Sequence, residues 1–174
     1  MLTVTGRMLD AFNDADLRKL SVHDCMYALS NEPRWGGMTP TPWSVLDHQL
    51  ACYDLARKTS ADAVLLINAL CHDMGEAVCK DMPRWLKHRP EMKWYRDFEQ
   101  HVTSVLFDAW GIPYLHTPEL KAIDNAVGAM EEWHFFTQGQ FADAGVVKRR
   151  EPHETRHLFI YAYGRVKHEL ESAS

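Results

Sequence analysis

Apolar positions recur along the chain at helical spacing and are punctuated by capping residues, glycines and prolines. Ser21-Val-His-Asp24 has the form of a capping box and predicts a short helix through Ser30, ended by Pro33. Ser44-Val-Leu-Asp47 repeats the pattern and predicts a helix to about Thr59, with Leu46, Leu50, Tyr53 and Leu55 as its apolar stripe. Ser60 is read as the cap of the next helix, whose run Ala63-Val-Leu-Leu-Ile-Asn-Ala-Leu70 predicts burial and which carries His72 and Asp73 at its far end. The short connection makes these two helices antiparallel neighbours, so the start of the first, with His48, lies beside the end of the second.

Downstream, Pro83 breaks the helix after Asp81, and Pro90 opens a long helix. Trp94, Phe98, His101, Val102, Val105, Leu106, Ala109 and Trp110 form its core stripe, and Gly111 and Pro113 stop it. Thr117-Pro118-Glu119 is a strong helix start, an N-cap Thr with Pro at the first helical position. Ala122, Ile123, Ala126, Val127 and Met130 give that helix its apolar face, with Asp124 set among them. A last helix is predicted from about Pro152 to Leu170, with Leu158, Ile160, Tyr161, Ala162 and Val166 inward. Thr3 to Gly6 reads as an extended lead-in, Asn13-Asp14 as a turn, and Thr137 to Arg150 as a surface loop. No strand pair emerges. The expectation is an all-α helical bundle.

Composition narrows the classes. With 174 residues, 46% of them apolar and 25% charged, the chain suits one globular domain over residues 1–174. A net charge of −5 offers no broad basic surface, so a nucleic-acid polymer is not an expected partner. No apolar run approaches membrane-spanning length, and no membrane partner is expected. Cys25, Cys52, Cys71 and Cys79 form no CxxC pair and follow no secretory segment, which suits reduced thiols and a cytoplasmic location, the host cytoplasm if the chain is phage-encoded.

Chemistry concentrates in Cys71 to Lys87. A charged Asp73 beside His72, at the end of a buried run, is expensive unless something compensates it, and a metal ion would. Glu76 lies four residues after His72 and three after Asp73, offsets that share one helical face. Ligands plus a neighbouring free carboxylate are what metal-assisted hydrolysis uses. Asp124, on an apolar face, is either a ligand or a hydrogen-bonded buried acid. Arg34-Trp35-Gly36-Gly37 heads a Gly- and Pro-rich loop suited to a phosphate and a planar base, with Trp35 against sugar or base, Gly37 allowing close backbone approach and Met38 as the nearest bulky wall. His48, His72, Asp73 and Asp124 are thus four candidate ligands on three helices.

Their order, His…His-Asp…Asp, is the signature of the HD-domain phosphohydrolases. Ala28-Leu-Ser30, Arg34-Trp-Gly-Gly, Trp43-Ser-Val-Leu-Asp-His48, Ala69-Leu-Cys-His-Asp-Met-Gly-Glu76, Asp81-Met-Pro-Arg-Trp-Leu-Lys87 and Leu120-Lys-Ala-Ile-Asp124 resemble the branch of small HD proteins that includes the YfbR-type 5′-deoxynucleotidases and the phage dATP triphosphohydrolases. The resemblance runs from Met1 to about Met130. It implies one divalent ion on His48, His72, Asp73 and Asp124. It also implies Glu76 acting on the attacking water with Asp81 assisting, and Arg34, Lys87 and Lys121 holding phosphate. Two imidazoles and two carboxylates suit Zn, Co, Mn, Ni or Fe, with Mg also conceivable. Such proteins often carry Glu before and Ser after the first metal His, where this chain has Asp47 and Gln49, and a His in the loop where it has Met38. The resemblance further implies a homo-oligomer, a dimer or a hexamer.

The activity expected on these grounds is hydrolysis of a deoxynucleotide, foremost dATP to deoxyadenosine and triphosphate, as would deplete dATP in a phage replacing adenine in its DNA. The alternatives are a general 5′-deoxynucleotidase acting on monophosphates and, from another class, a non-catalytic nucleotide sensor. His153-Glu-Thr-Arg-His157 satisfies the zinc-protease pattern HExxH. Thr155 and Arg156 at its inner positions, and the shortness of the chain after it, argue for an exposed helix start instead.

Overall fold

The computed structural model describes residues 1–137, 147–148 and 150–172. The loop read over Thr137 to Arg150 lies mostly outside the described residues. Among those described, helices are joined by turns, and the only β features are two isolated bridges, Leu2 with Met8 and Pro33 with Ser44. The helices are α1 (Asp14–Leu17), α2 (Val22–Leu29), α3 (Val45–Thr59), α4 (Ala63–Cys71), α5 (Glu76–Cys79), α6 (Arg84–Lys87), α7 (Lys93–Ala109), α8 (Pro118–Glu132) and α9 (Pro152–Ser172). The fold is all-α, and no described helix is long and apolar enough to cross a membrane.

Local chemistry sets the helix starts. Ser21 and Ser44 each accept from the N–H three residues on, while Asp24 and Asp47 return the bond to the cap backbone, so both capping boxes form. Thr117 accepts from Leu120 N–H at 3.2 Å, with Pro118 at the first helical position. The cap of α4 differs from expectation. Ser60 ends α3, and its Oγ accepts from Asp62 N–H, which leaves Asp62 to cap α4 through Val64 N–H at 2.9 Å.

Helix α4 is the centre of the molecule. Leu65 to Cys71 are all buried, and α4 packs against α3, α8 and α9. Fully burying each large apolar side chain contributes roughly 1.5–3 kcal/mol. Asn68 is the polar exception in that helix. It donates to the carbonyls of Val64 and Pro113, both at 2.8 Å, and accepts from Leu115 N–H at 3.0 Å, which ties the Pro113–Leu115 segment to α4.

Two faces differ from expectation. On α7 the buried residues are Tyr95, Val102, Thr103, Val105, Leu106 and Phe107, whereas Trp94, His101 and Ala109 are exposed. On α9 the buried line is Thr155, Phe159, Ala162 and Val166, and Leu158, Ile160 and Tyr161 face outward. The run Leu158-Phe-Ile-Tyr161 is continuously apolar and has no phase of its own. Thr155 sets the phase, since its hydroxyl donates to Asp47 Oδ1 at 2.8 Å and docks the start of α9 on the start of α3.

Candidate metal centre

The α3–α4 hairpin brings the rings of His48 and His72 to 5.4 Å between centroids. His72 is not within a continuous helix. It caps α4, and residues 72–75 form a turn before α5 begins at Glu76. Bonds from Met74 N–H to Cys71 O and from Glu76 N–H to Asp73 O span three residues, the 3₁₀ pattern. At that pitch residues three apart eclipse, so Asp73 and Glu76 stay on one side although the helix is interrupted. Two neighbours hold the turn. With its carboxamide assigned so that the oxygen faces the turn, which alone satisfies both groups, Gln49 accepts from Asp73 N–H at 3.2 Å and Met74 N–H at 3.3 Å. Gly75 presses on α7, where a Cβ would stand 2.2 Å from Thr103 Oγ1 and 3.2 Å from Glu99 O.

The four predicted ligands converge. His48 Nε2 lies 3.2 Å from Asp124 Oδ1 and 3.8 Å from Asp73 Oδ2, and His72 Nε2 lies 3.3 Å from Asp73 Oδ2 and 3.9 Å from Asp124 Oδ1. Their outer nitrogens are committed elsewhere. His48 Nδ1 is 2.7 Å from Glu131 Oε1, and His72 Nδ1 is 3.1 Å from the Ala69 carbonyl. Both partners only accept, so each Nδ1 carries a proton and each Nε2 turns towards the carboxylates. Lone pairs facing carboxylates repel unless a cation or proton stands between them. His72 Nε2 is buried with no hydrogen-bond partner. Donors about 2.1 Å from a shared tetrahedral ion stand about 3.4 Å apart, and the four imidazole–carboxylate separations of 3.2–3.9 Å are compatible with one divalent ion. Outer-nitrogen bonds to a carboxylate and a carbonyl are the usual support for metal-binding imidazoles.

The electrostatics agree. Burial and Arg34 oppose a charged His48, yet Cys52, Glu131 and Asp124 carry its pKa well above the ordinary value. Burial raises Asp73 and Asp124, but the imidazoles outweigh it and hold both carboxyls below the usual range. The cluster attracts positive charge. The grouping whose ligand atoms all lie within 4.8 Å of one another is a different one, His48, Cys52 and His72, with Cys52 Sγ 3.5 Å from His48 Nε2. Burial raises the Cys52 thiol, and a set of these three leaves Asp73 and Asp124 uncompensated.

Beside the ligands, Glu76 is buried, with Oε2 unpartnered and Oε1 3.4 Å from Lys87 Nζ. Burial, then Asp73 and Asp81, push its pKa well up against the pull of Lys87. Asp81 is raised too, chiefly by burial, and its N–H donates to Glu32 Oε1 at 3.3 Å. Lys87 is shared with Glu99 at 2.6 Å. Lys121 donates to Asp124 Oδ2 at 2.6 Å, and Arg34 lies 3.8 Å from Asp73 Oδ2. All three expected phosphate cations therefore border the cluster.

A cavity of about 470 Å³ opens onto His72, Asp73 and Asp124 between α7 and α8, walled by Lys87, Arg96, Tyr114, His116 and Lys121 among others. Trp35, Gly37 and Met38 do not line it. Met38 is 82% exposed, Gly37 borders a different cavity, and Trp35 points its indole N–H at Glu131. Glu131 itself escaped the sequence reading. It follows Asp124 by seven residues and Val127 by four, the spacing of the buried face, and that periodicity was the available signal. His153 and His157 are exposed on α9, away from any inward cluster.

Fold and site together define an all-α protein with a partly buried two-imidazole, two-carboxylate cluster, of which only His48 is fully buried, beside a cavity. No protein-family model matches the chain. It is similar to the uncharacterized protein YfdR of Escherichia coli (strain K12), 30% identical over 111 residues that make up 63% of this chain and 58% of YfdR. The chain spans a little over half the length of that curated relative.

Proposed function

We propose that the protein is a metal-dependent phosphohydrolase of deoxynucleotides, with dATP the favoured substrate. The observation that carries the hydrolase reading is the convergence of the His48 and His72 Nε2 atoms with Asp73 and Asp124, the last three residues lining a cavity. The deoxynucleotide class rests on the resemblance of the motifs around those residues. His48, His72, Asp73 and Asp124 would hold the ion. When bound, it supplies Lewis-acid charge to phosphoryl oxygens and acidifies the attacking water.

The chain's own groups do the rest. Arg34, Lys87 and Lys121 neutralise and orient the phosphates, three local cations on a protein of net charge −5. Glu76 Oε2, buried and free of hydrogen bonds, takes the proton from the attacking water. Asp81, whose carboxyl burial pushes above its usual range, assists the departure of the 5′-oxygen. The cavity falls within the roughly 300–1,000 Å³ usual for small-molecule sites. Attack at the α-phosphorus releases triphosphate from a dNTP and phosphate from a dNMP.

The test is turnover of a panel of dNTPs and dNMPs with added divalent ions, with products identified. Metal-dependent release of deoxyadenosine and triphosphate from dATP, faster than from the other dNTPs, is the expected result. Binding without turnover across the panel would replace the enzyme with a nucleotide sensor. Equal rates on all four dNTPs would remove the dATP preference.

A further inference from the structure

Glu131 is fully buried on α8, and its two oxygens serve different parts of the protein. Oε1 accepts from His48 Nδ1 at 2.7 Å and Trp43 Nε1 at 2.9 Å. Oε2 accepts from Trp35 Nε1 at 3.1 Å and Arg34 Nη2 at 3.2 Å. One side faces the start of α3 and the first imidazole. The other faces the turn Arg34–Gly37.

That turn is strained. Trp35 has φ 58°, Gly36 φ 61° and Gly37 φ 75°, three consecutive residues of positive φ, one of them a bulky aromatic. Such a conformation costs a non-glycine residue about 1–3 kcal/mol and persists only where contacts over-determine it. The contacts are the indole N–H bond to Glu131, the Arg34 pair and an edge contact of Trp35 with Phe136 at 5.3 Å. Arg34 also reaches Asp73, a second ligand of the cluster.

We propose that Glu131 is a positioning residue that joins the first imidazole ligand and the Arg34–Trp35 turn into one hydrogen-bonded unit, so that metal affinity at His48 depends on the conformation of the turn. The proposal rests on the reading of the cluster as a metal centre. The mechanism is electrostatic. A carboxylate on Nδ1–H fixes the tautomer and raises the basicity of Nε2. Donors from Trp35 and Arg34 draw charge from the same carboxylate. Moving the turn therefore changes how strongly Glu131 supports His48, and by linkage metal binding changes the stability of the turn by the same factor.

The experiment uses the full chain, with Zn²⁺ affinity read by competition with a chromophoric chelator and the Trp35 and Trp43 indole N–H signals read by NMR. Glu131→Gln is expected to weaken Zn²⁺ binding about 10- to 100-fold and to move both indole signals. Trp35→Phe, which removes one donor from a half-buried side chain, is expected to change Zn²⁺ affinity by about a few-fold. That change should vanish in the Glu131→Gln background, because the two act through one carboxylate. If Glu131→Gln fails to fold, Trp35→Phe carries the test alone. Unchanged Zn²⁺ affinity in Trp35→Phe, fully additive effects, or a Trp35 signal unmoved by Glu131→Gln would overturn the proposal. Failure of the parent protein to bind Zn²⁺, Co²⁺ or Mn²⁺ would instead overturn the metal centre itself.

Discussion

Glu76 shows how much a single position decides. Its Oε2 is buried without a partner, a cost of about 1–3 kcal/mol that a purely structural carboxylate would not be expected to carry. Glu76→Gln keeps the shape and leaves all four ligands in place. It should retain metal and lose turnover by about 10²- to 10⁴-fold, as measured by single-turnover kinetics on dATP. A variant within a few-fold of the parent would remove Glu76 from the proton path. Asp24 is a contrasting acid remote from the cluster. Burial raises it, but bonds from Ser21 Oγ at 2.6 Å and Thr5 Oγ1 at 2.7 Å, with backbone N–H groups, hold its pKa at about 2 against 3.8 unfolded. A folded-state pKa below the unfolded one adds stability that is full above about pH 4 and fades as pH falls through about 2. Asp24→Asn should therefore lower the urea midpoint at neutral pH, and the gap to the parent should narrow at about pH 3. A gap that is constant with pH would mean that Asp24 acts by shape rather than charge.

At the scale of elements, the turn of residues 72–75 is held from both sides, by Gln49 and by the contact of Gly75 with α7. Gly75 has an ordinary helical φ of −61°, so space and not backbone conformation requires glycine there. Gly75→Ala would drive a methyl into Thr103 Oγ1 and the Glu99 carbonyl, and should cost roughly 1–3 kcal/mol, as such overpacking does. Adding Thr103→Ala should recover part of that loss in thermal unfolding. No recovery would place the strain on the Glu99 backbone. This is also where legibility ends. Helix starts are written locally, in Ser21, Ser44 and Thr117 with their partners three residues on, and they appear where expected. The α3–α4 hairpin, and with it the meeting of His48 and His72, follows from a short connection and an apolar run. The part played by Glu131 does not follow, because its partners Arg34, Trp35, Trp43 and His48 lie more than eighty residues away. Nor does the inward face of α9, whose apolar quartet is phased by a hydrogen bond from Thr155 to another helix.

For the whole molecule, two helices, α3 and α8, and the turn of residues 72–75 bring four candidate ligands together, and the cations that border them are shared with their acids. The exposed His153 and His157 lie outside that arrangement, so His153→Ala with His157→Ala should leave metal content and nucleotide turnover within about two-fold of the parent, a small effect for exposed positions. Metal lost in that pair, but kept in His48→Ala, would move the centre to α9. The most direct measurement of the central claim is titration of the metal-free protein with Co²⁺, followed by absorption. The account predicts d–d bands that saturate at a single equivalent, disappear in Asp124→Asn and His72→Ala, and come without a near-ultraviolet thiolate-to-cobalt band. Absence of saturable bands, or a thiolate band removed by Cys52→Ser, would contradict it.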